Sequence, residues 1–232
     1  MITTRPAEKR GVTQTDWLNS RHSFSFGRYR DPRHMGFGKL RVINDDIIEP
    51  GAGFGEHPHR DMEIITYVVE GALEHADSLG NGSVIRPGDV QIMSAGRGMR
   101  HSEFNASDSE KCRFLQIWLP PNQLGLEPRY DQKRFPIADQ PGQLHRVLDP
   151  DAEGSALKIY QDARMYAGRF NGDQATSLPL DDGRRAWVQV VKGSLSVNGQ
   201  TLQKGDGAGF EDLSNLEIHD GDNAEILVFD LA

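Results

Sequence analysis

The sequence predicts an all-β protein built from two tandem barrel- or sandwich-like units. Three observations carry that expectation. Short runs rich in β-branched and aromatic residues recur along the 232 residues, and Gly, Pro, Asn and Asp punctuate them at short intervals. No long amphipathic helical pattern interrupts them, and the second half of the chain echoes the first.

Taken in order, the strand signals are LRVIND (40–45), EIITYVVEG (63–71), VQIMSAG (90–96), RFLQIWL (113–119), RAWVQVVKG (185–193) and EILVFDL (225–231). The best short helical candidate lies at Asp149–Ala156. The echo aligns Val68-Val69-Glu70-Gly71 with Val190-Val191-Lys192-Gly193, then Gly88-Asp89 with Gly205-Asp206, then His101 with His219. Asn198-Gly199 fits a two-residue hairpin turn, whose central residues need positive φ. Between the copies Pro120, Pro121, Pro128, Pro136 and Pro141 break up regular structure. The expected division is a metal-binding unit over residues 1–135 and a second unit without a metal site over 136–232.

Composition narrows the function classes. A net charge of -8 and no basic stripe argue against direct nucleic-acid binding, which needs clustered Lys and Arg against phosphates. No apolar stretch is long enough to span a bilayer, and MITTRPAEKR has no apolar run behind its charges to make it a signal peptide. Cys112, the single cysteine, excludes an internal disulfide and fits a reducing cytoplasm; within a strand-like run it reads as a small buried hydrophobe rather than a nucleophile. A monomer is expected.

The chemistry concentrates in two short pairs. His57-Pro58-His59 is followed some forty residues later by His101-Ser102-Glu103. On a strand, residues i and i+2 face the same way, so each pair presents two ligands together and two neighbouring strands can aim all four at one point. Three imidazoles and a carboxylate suit one divalent transition-metal ion, with iron the expected occupant and Ni, Mn, Co, Zn or Cu the alternatives, rather than Mg or Ca. Glu63 shares the parity of His57 and His59 and is the rival of Glu103; it is expected deeper, as an acceptor that orients an imidazole. His22 and His34 are not expected as ligands. Gly51, Gly53 and Gly55 read as a flexible lip before the metal strand, since no Lys-Ser/Thr follows to make a phosphate loop. Phe24, Phe26, Tyr29 and Phe37 read as core or as a loop over the pocket mouth, and Met93, Gln116 and Trp118 as core or pocket lining. In the second copy the positions matching the first pair fall near Pro179 and Asp181, so only His219 remains and no metal set is expected there.

These residues also carry a family resemblance. Gly51, five residues, then His57-x-His59, with Glu63 and Gly71 beyond, resembles the first motif of the cupin superfamily; Gly88, five residues, then Ser94-x-Gly96, His101 and Asn105 resembles the second. Ser94 stands where proline is usual and the final histidine comes two residues late. Both departures resemble the pirin branch, as do His57-Pro-His59-Arg-Asp-Met-Glu63 and the MGFGKLRVINDD string from Met35. The resemblance implies two tandem cupin (jelly-roll β-barrel) domains, with an ion held in the first by three His and one Glu. It also implies, from some bacterial members, a quercetin 2,3-dioxygenase acting on a flavonol and dioxygen with release of carbon monoxide. Glu103 would there double as the base for the flavonol 3-hydroxyl. Other pirins imply an alternative, a non-catalytic metal protein acting through a protein partner.

Overall fold

The computed structural model describes residues 1–232 and is built almost entirely of strands, with one turn of 3-10 helix at Ala7–Lys9. In the first half a seven-stranded antiparallel sheet runs in the order Arg129–Arg134, Asp89–Ser94, Glu63–Glu70, Cys112–Leu119, Val42–Ile48, Leu18–His22 and Gly11–Gln14. A four-stranded sheet, Gly53–His59, Met99–Asn105, Leu73–Asp77 and Gly82–Ile85, faces it. Eight strands of the second half, centred on the long strands Arg185–Val197 and Asn215–Leu231, form a nine-stranded sheet with one strand from the amino terminus. The amino-terminal strand Ile2–Arg5 crosses over and pairs with Gly207–Phe210 of that second sheet.

The central strands are continuous apolar runs because both of their faces are covered. In Glu63–Glu70, Ile64 packs with Met93, Ala95 and Met99, and Val68 with Ile48, Cys112 and Phe114, inside the first barrel. The alternate residues Ile65, Tyr67 and Val69 point the other way, into a 25-residue cluster shared with the second half. Strand Arg185–Val197 mirrors this: Ala186, Val188 and Val190 fill the second barrel, whereas Trp187 and Val191 enter the shared cluster. The two halves therefore meet as sheet on sheet, and a one-residue slip in either strand would exchange barrel residues for interface residues. Phe24 and Phe37 belong here too, with ring centroids 4.8 and 5.4 Å from Trp187. Polar ties cross the same seam: Tyr67 Oη donates to Glu225 Oε1 (2.6 Å) and Arg113 Nη2 to the Val191 carbonyl (3.0 Å).

The internal echo is physical. Gly71 and Gly193 both have positive φ (78° and 63°), and an added Cβ would lie 2.7 Å from the Lys111 carbonyl oxygen or 2.1 Å from that of Asp222. Each copy thus turns at the one residue that can both take that φ and pass so close to backbone. Asn198 and Gly199, at φ 46° and 77°, form the expected tight hairpin turn.

The helix expected at Asp149–Ala156 is absent. Leu144–Asp149 is a strand, and after it the Asp149 carboxylate accepts the backbone N–H of Asp151 (2.8 Å) while Ala152 adopts φ 56°. The side chain of Asp149 competes for the backbone and produces a turn.

Candidate metal centre

The four-stranded sheet positions the histidines. His57 and His59 lie two apart on Gly53–His59 and turn to one side, as strand alternation requires. His101 lies directly across from His57 on Met99–Asn105. The three ring centroids are 4.8, 4.5 and 4.9 Å apart, and one ring nitrogen from each lies within 4.8 Å of the others. The close approach of the two strands depends on Gly53, where a Cβ would sit 2.2 Å from the Glu103 carbonyl oxygen and 2.5 Å from Phe104 Cα. Gly53 is therefore a packing position and not part of a flexible lip.

The protonation states of the rings follow from their surroundings. His57 Nδ1 lies 2.8 Å from the Gly55 carbonyl, an acceptor, so this nitrogen carries the hydrogen and Nε2 is bare. Burial, with His57 nearby, pushes His59 down to about 4; burial, together with His57, His59 and His75, pushes His101 down to about 2. His59 and His101 are therefore neutral at pH 7. His59 Nε2 and both nitrogens of His101 are buried without a hydrogen-bond partner. Buried polar atoms without partners are costly, and a cluster of bare imidazole nitrogens is what a borderline transition metal satisfies. The residues present fit such an ion.

Glu103 is buried beside this cluster but outside the group of mutually close nitrogens. An extra residue in the facing strand shifts the register between His101 and Glu103, so that Glu103 lies opposite Phe54. Its Oε2 accepts from Gln116 Nε2 (2.8 Å), and its Oε1 accepts from Thr66 Oγ1 (3.4 Å). Gln116 is held in turn by Trp118, whose Nε1 donates to Gln116 Oε1 (3.1 Å) and whose indole packs edge-on against His59 at 5.0 Å. Gln116 and Trp118 are thus part of the site's wall, while Met93 is core. Burial pushes the Glu103 carboxyl up to about 7, against the hydrogen bonds from Gln116 and Thr66.

Glu63 does not orient an imidazole. Its carboxylate accepts from Ser94 Oγ (2.9 Å) and from the backbone N–H of Tyr160 (3.1 Å), tying the first barrel to the second half. Asp61, at φ 48°, turns the chain between the two strands, so the parity of His57 and His59 does not carry through to Glu63. His22 is engaged by Asn44 Oδ1 (2.7 Å) and Thr13 Oγ1 (2.8 Å), and His219 by Asp220 (2.8 Å). Cys112 is buried, with its thiol pushed up to about 12 by burial, which leaves no thiolate at neutral pH.

Two groups near the centre escaped the sequence reading. His75 is fully buried, with its ring centroid 5.4 Å from that of His101. Asp46 is buried and pushed up to about 7 by burial, with Asp45 and Glu103 adding to the shift. Alternation in Leu73-Glu74-His75 and in Asp45-Asp46 was visible, but only the strand pairing shows that these side chains share the barrel with the histidines. A surface groove of about 500 Å³, lined by Pro58, Arg60, Arg97, Met99 and Arg100 among others, reaches His59 of the cluster.

Comparison with known proteins agrees with this architecture. The pirin family matches residues 4–119, and the family described as "Quercetinase C-terminal cupin domain" matches residues 147–231. A protein named quercetin 2,3-dioxygenase from Escherichia coli strain K12 is 48% identical over 231 residues, covering 100% of this chain and 99% of that protein. A pirin-like protein from Caulobacter vibrioides is 41% identical over 235 residues, covering 100% of each. The crystal structure of the bacterial pirin YhhW from Escherichia coli in complex with nickel(II) superposes with a TM-score of 0.95 at 46% identity, covering 100% of this chain and 99% of that one. With two all-β halves in tandem, a histidine cluster in the first, and this similarity over its whole length, the chain belongs to the pirin family of bicupin proteins.

Proposed function

We propose that this chain is a metal-dependent dioxygenase that opens the central ring of flavonols such as quercetin with release of carbon monoxide, and that His57, His59, His101 and Glu103 hold its single divalent ion. The observation that carries this reading is the cluster of three imidazoles, with buried nitrogens of His59 and His101 left unpaired, beside a buried carboxyl whose proton is labile near neutrality. Full-length similarity to a protein named quercetin 2,3-dioxygenase supports the substrate, and a nickel(II) complex of a 46% identical pirin supports a transition metal. Iron and nickel are both compatible with three nitrogen donors and one oxygen donor. Residues 1–135 carry the site in this reading, and residues 136–232 cover the outer face of its sheet.

A bound divalent ion would supply Lewis-acid stabilisation for the anionic 3-oxygen of the flavonol and hold it near dioxygen. The residues do the rest. Glu103 accepts the 3-hydroxyl proton, a role suited to a carboxyl whose affinity for the proton has been raised towards neutrality. Gln116, fixed by Trp118, keeps a donor on Glu103 Oε2 and leaves Oε1, held only by the long contact with Thr66, free to turn.

Replacement of Glu103 by Gln is expected to lower flavonol turnover by about 10²–10⁴-fold. It should also remove a proton signal. At pH 6 the Glu103 carboxyl is largely protonated before metal uptake, so the wild type releases more protons when an ion binds than Glu103→Gln does. Calorimetry in buffers of different ionisation enthalpy reads the difference. Equal proton release and equal turnover in the two proteins would remove Glu103 from the site.

A further inference from the structure

His75 and Asp77 have a geometry that a merely structural pair would not need. They alternate on Leu73–Asp77, the strand next to Met99–Asn105, and the register sets His101 opposite Asp77 and Glu103 opposite His75. Both side chains are fully buried. Asp77 is saturated with donors: Oδ1 accepts from the Leu79 N–H (2.9 Å), the Asn81 N–H (3.1 Å) and Asn81 Nδ2 (3.1 Å), and Oδ2 accepts from Asn81 Nδ2 (2.9 Å). The remaining contact on Oδ2 is His75 Nε2 at 3.2 Å. A carboxylate in that cradle is charged and only accepts, so His75 Nε2 carries the hydrogen and His75 Nδ1 is a bare acceptor.

That acceptor is buried and has no partner, and the same is true of both nitrogens of His101. The two ring centroids are 5.4 Å apart, close to the separation of about 5 Å that a single N–H···N bond between ring edges gives. If one nitrogen of His101 faces the ion, the other must carry the hydrogen, and His75 Nδ1, on the neighbouring ring, is a bare acceptor for it. Tyr130 stacks on His75, with centroids 4.7 Å apart, and restrains its ring.

We propose that His75 is a positioning residue: with an ion bound, the outer nitrogen of His101 donates to His75 Nδ1, and His75 Nε2 donates to Asp77, forming a buried ligand–imidazole–carboxylate relay that fixes the tautomer and orientation of His101. The relay gives partners to two otherwise unpaired atoms, and the ion takes the third. It rests on the reading of His101 as a ligand but not on the flavonol assignment, and it extends the usual pattern in which a ligand histidine is held by a carboxylate or carbonyl.

The test compares nickel affinity, by competition with a chromophoric chelator, among wild type, His75→Leu and His75→Asn, with the melting temperature of each metal-free protein recorded alongside. Asparagine keeps an acceptor near the Nδ1 position, and leucine does not. His75→Leu is expected to bind nickel about 10–100-fold more weakly, with His75→Asn recovering most of that loss at equal or lower thermal stability. Unchanged nickel affinity in His75→Leu would overturn the proposal. A second measurement needs no variant: in the cobalt(II)-loaded wild type, one hyperfine-shifted imidazole N–H beyond that of His57 should exchange slowly with solvent, and its fast exchange or absence would also overturn it. A wild type that binds neither nickel nor cobalt would instead remove the metal-site reading itself.

Discussion

Replacing His57 and His59 together by alanine is expected to weaken metal binding by more than about 100-fold, the upper range seen when only a ligand's supporting partner is lost. Flavonol loss under air should fall to the level of metal-free protein. The expectation follows from the geometry: the two rings stand on one strand face, His57 with Nδ1 committed to Gly55 and Nε2 left bare, and His59 with Nε2 buried and unpaired. Removing them leaves His101 with no companion nitrogen, and one imidazole cannot hold the ion. The metal-free variant should be no less stable than the metal-free wild type. Burial depresses His59 below its ordinary value, so the folded wild type takes up fewer protons there than the unfolded chain. The sign is that His59 costs stability increasingly as pH falls below about 6.5 and ceases to add cost below about 4. The double variant removes that acid-side cost, and melting curves at pH 5 and pH 8 would show it. Metal content by elemental analysis and loss of quercetin absorbance complete the test. Full metal loading in the double variant would refute the site.

Trp187→Ala carries the largest expected effect on stability, about 3–5 kcal/mol. Trp187 is 2% exposed, lies between Phe24 and Phe37, and fills the space over Gly207, where a Cβ would come within 2.3 Å of its ring. It belongs to the cluster that both halves share, so the cavity opens at the seam between the sheets. In a chain of this size that corresponds to a fall of roughly 10 °C in melting temperature, measurable by calorimetry on the metal-free protein. Because Trp187 Nε1 has no hydrogen-bond partner, Trp187→Phe leaves no polar group stranded and should cost markedly less. A shift of only one or two degrees for Trp187→Ala would mean that the halves do not depend on this packing.

Much of this was legible in the sequence because strands and ligand pairs share a period of two. His57 and His59, then His101 and Glu103, were marked by spacing alone, and the structure brings the three histidines together. The echo between Gly71 and Gly193 was legible because only glycine tolerates both the positive φ and the close backbone contact at those turns. What escaped depends on pairing between strands. Parity could not exclude Glu63, because the turn at Asp61 resets the alternation and sends its carboxylate to Ser94 and Tyr160. His75 stood alone in its segment, and its relation to His101 exists only through the register of two antiparallel strands. The apparent helix after Asp149 failed because one carboxylate captured the local backbone. The crossing of Ile2–Arg5 into the second sheet is a long-range pairing of a short strand, which local pattern does not encode.

In the proposed function the histidine cluster serves an oxygen-dependent ring cleavage. The most direct measurement loads the wild type with one equivalent of iron(II) or nickel(II), adds quercetin in air-saturated buffer, and follows dioxygen uptake and carbon monoxide release together. Carbon monoxide appearing in step with flavonol loss and oxygen uptake, and absent with the His57→Ala/His59→Ala protein, is the expected result. Flavonol and oxygen consumption no faster than with that double variant, with no carbon monoxide formed, would contradict it.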